Sequence, residues 1–341
     1  MLFLDKKKNI DPEIISRLLY SHFSSLMSEF YEMQSGFLST RYKLHKSLET
    51  SSIIISFIKS VHLAIIRQRE KNLDHDLSLN NFFFNLNNLN SQSFSYKIAS
   101  VVNTTGIPKE TVRRKLKKLI QQEVIMTNKY KEYYWKITPK RRDPFIKIIK
   151  KDIKALSKFT FNIGKFLNLN LNQKMIENEI ESQFSFYFYH FLNCQLTWLK
   201  MWQDKIKDID LVLISLQALI PTLQYLDKNQ ATKDMNLENV YTIVGKTNEQ
   251  YNASNTAIGA ASVSEITGIP RATCIRKLEK LVKLGMLVRE TKTRRYFVNQ
   301  ITASRTKHII TKDNIRFTIE TFSEYLSIIL NALVRNQKVH Y

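Results

Sequence analysis

The chain has 341 residues, enough for two domains that each bury a core, and 43% apolar with 24% charged residues is the balance of a globular protein rather than a disordered or fibrous one. Its 52 basic against 30 acidic residues give +22, which makes a polyanion the first partner to consider, nucleic acid above all. Two cysteines, Cys194 and Cys274, make neither a disulfide framework nor a zinc site by themselves, and seven glycines leave little material for nucleotide-binding turns.

Met1 to Asn9 has only a short apolar start before Asp5 and three lysines, so no secretory h-region is expected and the chain is expected in the cytoplasm, on a bacterial nucleoid. Asp11, Pro12 and Glu13 then read as a helix start: a cap, a first-turn proline and a carboxylate at the positive end of the dipole. Ile14, Ile15, Leu18, Leu19, Phe23, Leu26, Phe30 and Met33 recur at three- and four-residue steps, predicting one continuous helix that Gly36 ends. A second helix, Leu48 to Arg69, is read as core, being too short and too polar at its ends for a bilayer. Leu77 to Tyr96 carries no charge and is rich in asparagine around Phe82, Phe83 and Phe84, which predicts a loop that tucks phenylalanines against helices. A platform for stacking single-stranded bases would need interleaved cations, and the stretch has none.

Ile98, Ala99 and Val102 mark a short helix, Gly106 a turn, and Pro108 the first turn of another helix. In that helix Val112, Leu116 and Leu119 form one narrow apolar stripe. At about 100° per residue Arg114, Lys117, Lys118 and Gln121 point away from it, with Lys109, Glu110 and Thr111 at the exposed start. Glu123 to Thr127 and Tyr133 to Ile137 are β-prone runs around the polar tip Asn128 to Glu132, which predicts a hairpin. The run Pro139 to Lys151 sets Lys140, Arg141, Arg142, Lys147, Lys150 and Lys151 against Asp143 alone, and Asp143-Pro144 caps a helix expected over 144–165. Leu167 to Asn172 reads as a linker.

The second half repeats the plan: a long helix from Lys174 to Gln203, another from Asp208 to Leu226, and a polar connection from Asp227 to Asn255. The charge-free aromatic run Gln183 to Leu199 is read as an interface helix inside a bundle, since His190, Asn193, Gln195 and Thr197 interrupt it. A wall for a ligand pocket is the other reading of that run. The stretch Thr105 to Ile125, TGIPKETVRRKLKKLIQQEVI, returns 162 residues later (267 − 105) at Thr267 to Leu287 as TGIPRATCIRKLEKLVKLGML. Ala260, Ala261, Val263 and Ile266 precede it, Cys274, Leu278 and Leu281 make its stripe, and Met286 to Arg289 with Tyr296 to Asn299 bracket a charged tip. Phe23, Phe30 and Phe37 align with Phe184, Phe191 and Trp198 at a shift of 161 (184 − 23), so the duplication spans both halves, 1–168 and 169–341.

These residues resemble the winged helix-turn-helix DNA-binding domains of bacterial regulators of the MarR and IclR kinds: TGIP, a basic or small residue, Thr, then RKLxxL, an apolar pair and a hairpin. The resemblance covers well under half of the chain. It implies a mainly α fold in which duplicated winged helix-turn-helix domains, each with a small β-hairpin wing, are embedded in long-helix bundles with pseudo-twofold symmetry. The expected helix-turn-helix segments are about 95–121 and 257–284, the wings about 123–137 and 286–299, and the last helix 312–335. The second helix of each pair would enter a major groove and the wing would touch the adjacent backbone or minor groove. Carried over, this puts Lys109, Thr111, Arg113, Arg114, Lys117, Lys118, Lys129, Lys131, Arg141 and Arg142 at double-stranded DNA in the first copy. Arg271, Thr273, Arg276, Lys277, Lys280, Lys292, Arg294 and Arg295 do so in the second.

The expected function is sequence-specific transcription regulation by a single-chain pseudo-dimer, with half-sites about one duplex turn apart. A replication initiator, a nucleoid-architectural protein and, from another class, a winged-helix interaction scaffold are its rivals. No HExxH, CxxC or GxSxG motif occurs and the seven histidines are scattered singly, so no enzyme activity, metal or cofactor is expected, and no membrane partner. Further homo-oligomerisation and a small-molecule effector stay open.

Overall fold

The computed structural model describes residues 9–229, 231–245, 253–298 and 312–339, and within them the chain is mainly α-helical with two small antiparallel hairpins. The expectations for Met1 to Lys8, for 246–252 of the polar connection, for Asn299 and for His308 and His340 lie outside the described residues.

Helix α1 (Pro12–Ser21) starts as its cap predicts, the Asp11 carboxylate accepting from the Glu13 N–H at 2.9 Å. The single helix expected as far as Gly36 is instead two: the chain breaks at His22 (φ −111°, ψ 45°) and α2 (Phe23–His45) runs straight through Gly36. A tertiary contact accounts for the break, because the N–H of Ser24 donates to the Met235 carbonyl at 3.0 Å and the Met235 N–H donates to Ser24 Oγ at 2.8 Å. Helix α3 (Leu48–Lys71) follows. The stretch expected as a loop contains α4 (Phe82–Asn88), driven by burial of Phe82, Phe83 and Leu86 while Phe84 stays exposed. Its asparagines serve as plugs for loose backbone, Asn85 donating to the Asp76 carbonyl at 2.6 Å. Then come α5 (Ile98–Thr105), α6 (Lys109–Gln121), β1 (Ile125–Thr127) and β2 (Tyr133–Trp135), paired Ile125 to Trp135 and Thr127 to Tyr133. Helix α7 (Pro139–Phe166) begins after Thr138, so Pro144 lies inside it rather than at its start.

The second half opens with α8 (Gln173–Ser182) and α9 (Phe184–Ile206), again two helices where one was expected. The break at Gln183 (φ −113°, ψ 40°) comes 161 residues after that at His22 (183 − 22) and has the same cause: the Ser185 N–H donates to the Leu77 carbonyl at 3.0 Å. Helix α10 (Asp210–Lys228) precedes α11 (Leu237–Gly245), which occupies part of the expected polar connection. Asn236 Oδ1 accepts from the Asn239 N–H at 2.8 Å, and Leu237, Val240, Ile243 and Val244 are buried, enough to hold a helix in a polar stretch. Helices α12 (Ala260–Thr267) and α13 (Arg271–Lys283), strands β3 (Leu287–Arg289) and β4 (Tyr296–Val298), and α14 (Lys312–Val339) complete the order.

The compact units are not the two sequence halves. One unit takes Met1–Leu48 with Asp208–Ser327, the other Glu49–Lys207 with Ile328–Tyr341. In the first, α2 lies along α10, α12 packs on both, and α13 and β4 pack on α10. In the second, α5 packs on α9, α8 on α9, and α7 on α8. The expected boundary at 168/169 therefore divides a sequence repeat, whereas each unit combines helices from both halves around one core. The second unit's core gathers the rings of Phe82, Phe184 and Phe188 around His62, at 4.9, 5.1 and 6.1 Å between centroids. Burial there pushes the His62 imidazole down to about 3, so it is neutral at ordinary pH.

By length and composition alone, Leu48–Lys71 and Lys312–Asn336 are long and apolar enough to cross a bilayer, which corrects the reading of α3 as too short and too polar. Most of each apolar window, 67% and 56%, is buried within the protein.

Candidate nucleic-acid interface

Two modules, 98–135 and 260–298, share one local architecture: short helix, glycine turn, cationic helix, hairpin. Gly106 (φ 68°) and Gly268 (φ 75°) sit in the left-handed region that disfavours any Cβ, and their N–H groups close the preceding helices onto Val102 and Ser264, each at 2.8 Å. A Cβ at Gly268 would also lie 2.6 Å from Lys43 Cγ, and one at Gly106 would lie 3.0 Å from Asp204 Oδ1, so the long helices α2 and α9 approach these turns closely. After each glycine the N–H of Ile107 or Ile269 is satisfied by the hydroxyl of Thr105 or Thr267, at 3.3 and 3.1 Å. The Thr-Gly-Ile-Pro repeat is thus a geometric unit: hydroxyl, left-handed turn, buried Ile, and Pro ahead of the helix.

Helix α6 docks by Val112, Leu116 and Leu119, and α13 by Cys274, Leu278 and Leu281, all buried. Away from those stripes Lys109, Arg113, Arg114, Lys117 and Lys118 are exposed on α6, and Arg271, Arg276 and Lys280 on α13; Thr111 and Thr273 are half-buried. Arg113 is not wholly available, since Glu110 binds it at 2.7 Å. Lys277 departs furthest from an outward cation: its side chain is 12% exposed and its ammonium pairs with Asp208 at 2.7 Å and Asp210 at 3.2 Å. Lys280 lies 3.6 Å from Asp208 as well. The matching residue of α6, Lys115, pairs with Glu49 at 3.2 Å and donates to Thr50 at 3.1 Å. Burial outweighs Lys277 at Asp210 and holds that carboxyl above the ordinary range. Periodicity along α6 and α13 does not mark these anchoring acids, but the repeat does, since Glu49 and Asp210 stand 161 residues apart (210 − 49).

The hairpin tips differ in construction. In the first, the side chain of Asn128 accepts from the N–H groups of Tyr130 and Glu132, both at 3.0 Å, and Lys129 and Lys131 are exposed beside an exposed Tyr130. Hydrogen bonds from Ser95 and Asn128 hold the Glu132 carboxyl below its usual value. In the second, Lys292, Arg294 and Arg295 are all exposed; a left-handed residue is common to both tips, Lys131 (φ 59°) and Arg294 (φ 56°). Of the basic run in α7, Arg141 donates to the Gln122 carbonyl at 2.8 Å and Arg142 lies 4.6 Å from the Phe83 ring centre, so both also fasten α7 to its own module's surroundings.

An open crevice beside α13 is lined by Asp208, Arg276, Lys277, Glu279, Lys280 and Lys283, a mixed-charge surface. Among the described residues no group of three or more His, Cys, Asp or Glu side chains converges as metal ligands would. Cys194 and Cys274 are not joined in a disulfide and both are buried. No protein family, curated protein or solved structure matches the chain.

Proposed function

We propose that the two modules are winged helix-turn-helix domains and that the chain is a double-stranded DNA-binding regulator of transcription, a single-chain pseudo-dimer of pseudo-twofold design. The observation that carries the reading is the doubled arrangement of an outward cationic helix, pinned by a buried stripe and a lysine anchor, followed by a hairpin with a cationic tip. A net charge of +22 supports affinity for phosphate, while the exposed Arg114 and Arg276 are the side chains suited to guanine edges. The cations of the hairpin tips would act as backbone contacts without sequence preference.

The test is duplex binding as a function of salt. Lys292→Ala or Arg294→Ala is expected to weaken all duplexes alike and to flatten the slope of log K against log salt by about one unit per lost phosphate contact. A protein that shifts no duplex at about 50 mM salt, where phosphate contacts are strongest, would favour a protein-interaction scaffold instead. Genome-wide occupancy separates the remaining possibilities: promoters for a regulator, an origin with repeats for a replication initiator, broad coverage for an architectural protein.

A further inference from the structure

We propose that the second module recognises its half-site through the C5-methyl group of thymine, with Ile275 as the specificity-determining residue. The proposal rests on the duplex-binding reading above and names the base chemistry that this one surface takes. Along the two cationic helices the flanking cations repeat, Lys109 with Arg271 and Arg114 with Arg276, as does Thr111 with Thr273, while Glu110, Val112 and Arg113 give way to Ala272, Cys274 and Ile275. Where α6 has the ion pair Glu110–Arg113, closed at 2.7 Å, α13 has Ala272 and Ile275. Ile275 is no core residue, since it is 40% exposed while Cys274, Leu278 and Leu281 of the same helix are fully buried.

A single part-exposed isoleucine is no liability to the fold, but here it sets one branched aliphatic surface among outward cations, where an apolar group of a bound partner would gain by covering it. The cations around it, Arg271 one turn before, Arg276 beside it and Lys280 further on, are all exposed and fit a partner carrying phosphate rather than an apolar protein face. On the major-groove edge of duplex DNA the apolar group on offer is the thymine methyl, and aliphatic side chains are its natural contacts. Arg113 in the first module presents hydrogen-bond donors at that position instead, so the two half-sites would differ in chemistry, the second being thymine-bearing.

The experiment uses the full chain and a duplex selected for binding from a random pool, with footprints of Arg114→Ala and Arg276→Ala assigning each half-site to its module. All thymines of one half-site at a time are then replaced by deoxyuridine, which removes the methyl and nothing else. Loss of methyls in the second module's half-site should weaken the wild-type chain about fourfold for each methyl that Ile275 covers. The same replacement in the first module's half-site should leave binding unchanged. Ile275→Ala should bind thymine and uracil duplexes equally, and Ile275→Val should retain part of the discrimination, with circular dichroism confirming that both variants fold. A second half-site without thymine, wild-type binding indifferent to the methyls, or discrimination that survives in Ile275→Ala would overturn the proposal while duplex binding itself stands. A random pool from which the full chain selects no duplex at all would remove the underlying reading as well.

Discussion

Module one and module two hold the same turn with the same residues and present different surfaces. Gly106 and Gly268 share a left-handed φ, a threonine hydroxyl beneath the turn and a long helix pressed against it. At the exposed start of the following helix, by contrast, a Glu110–Arg113 pair faces solvent in one and Ala272 with Ile275 in the other. The difference teaches where a duplicated scaffold is constrained. The residues that build the turn repeat letter for letter, as do the outward cations Arg114 with Arg276 and Lys118 with Lys280, whereas Glu110 and Arg113 have given way to Ala272 and Ile275. The cores show the same division, for His62 in the second unit stands where the repeat places Leu223 in the first (223 − 62 = 161), both fully buried.

That core contrast carries the largest expected effect. Because the folded His62 is depressed to about 3 while the unfolded side chain titrates near 6.5, its neutral form is compatible with folding above that pH. Stability is then lost as pH falls from about 6.5 towards 3, by about 4 kcal/mol from this group over the range. His62→Leu, which gives the second unit the residue of the first, should abolish that part of the acid loss in urea titrations at pH 7, 5 and 4. An unchanged pH profile would show that the imidazole is solvated.

Next in size is the pair of anchors. Lys277 pairs with two carboxylates, Asp208 and Asp210, each less than a quarter exposed, whereas Lys115 pairs with Glu49, itself more exposed, and donates to Thr50. Removing Lys277 takes the nearest cation from both acids and leaves Asp208 with Lys280 at 3.6 Å, so Lys277→Met should destabilise by about 3 kcal/mol and Lys115→Met by about 1. Denaturant midpoints measure both. Neither change should alter the salt slope of duplex binding beyond what unfolding explains, since these lysines face carboxylates rather than solvent; a slope flattened by Lys277→Met would return it to the DNA contacts.

The smallest effect concerns the turn before each hairpin. Glu123 (φ 55°) and Gly285 (φ 73°) occupy the same left-handed position 162 residues apart (285 − 123). Glutamate is strained there and glycine is not, so Glu123→Gly should raise stability by about 0.5 kcal/mol, read as a small rise in melting temperature. A fall would mean that the Glu123 side chain makes a contact worth more than the strain.

These comparisons also define what could be read from the sequence. The glycine turns, the buried stripes and the hairpins were legible because each depends on residues within a dozen positions of one another. The helix breaks at His22 and Gln183 were not, since no Gly or Pro marks them and their cause is distant: Met235 and Leu77 supply the carbonyls that Ser24 and Ser185 bond. The α4 helix hid among asparagines whose partners, such as the Asp76 carbonyl, only the fold brings near. The grouping of α2 with α12 and of α5 with α9 was equally hidden, because a repeat in sequence does not say which copy's helices pack together. At the candidate interface, the outward cations of both helices were legible from periodicity. The sequestration of Lys277 was not, as it depends on acids about seventy residues upstream at the start of α10.

The central claim is that each module reads one half of a duplex site, and selection of bound fragments from random duplexes by the wild-type chain, Arg114→Ala and Arg276→Ala tests it most directly. The account predicts a consensus of two unlike half-sites, each substitution relaxing base preference in one half by about 1 to 3 kcal/mol and leaving the other intact. Selections that yield no consensus, or a consensus that both substitutions leave untouched, would contradict it.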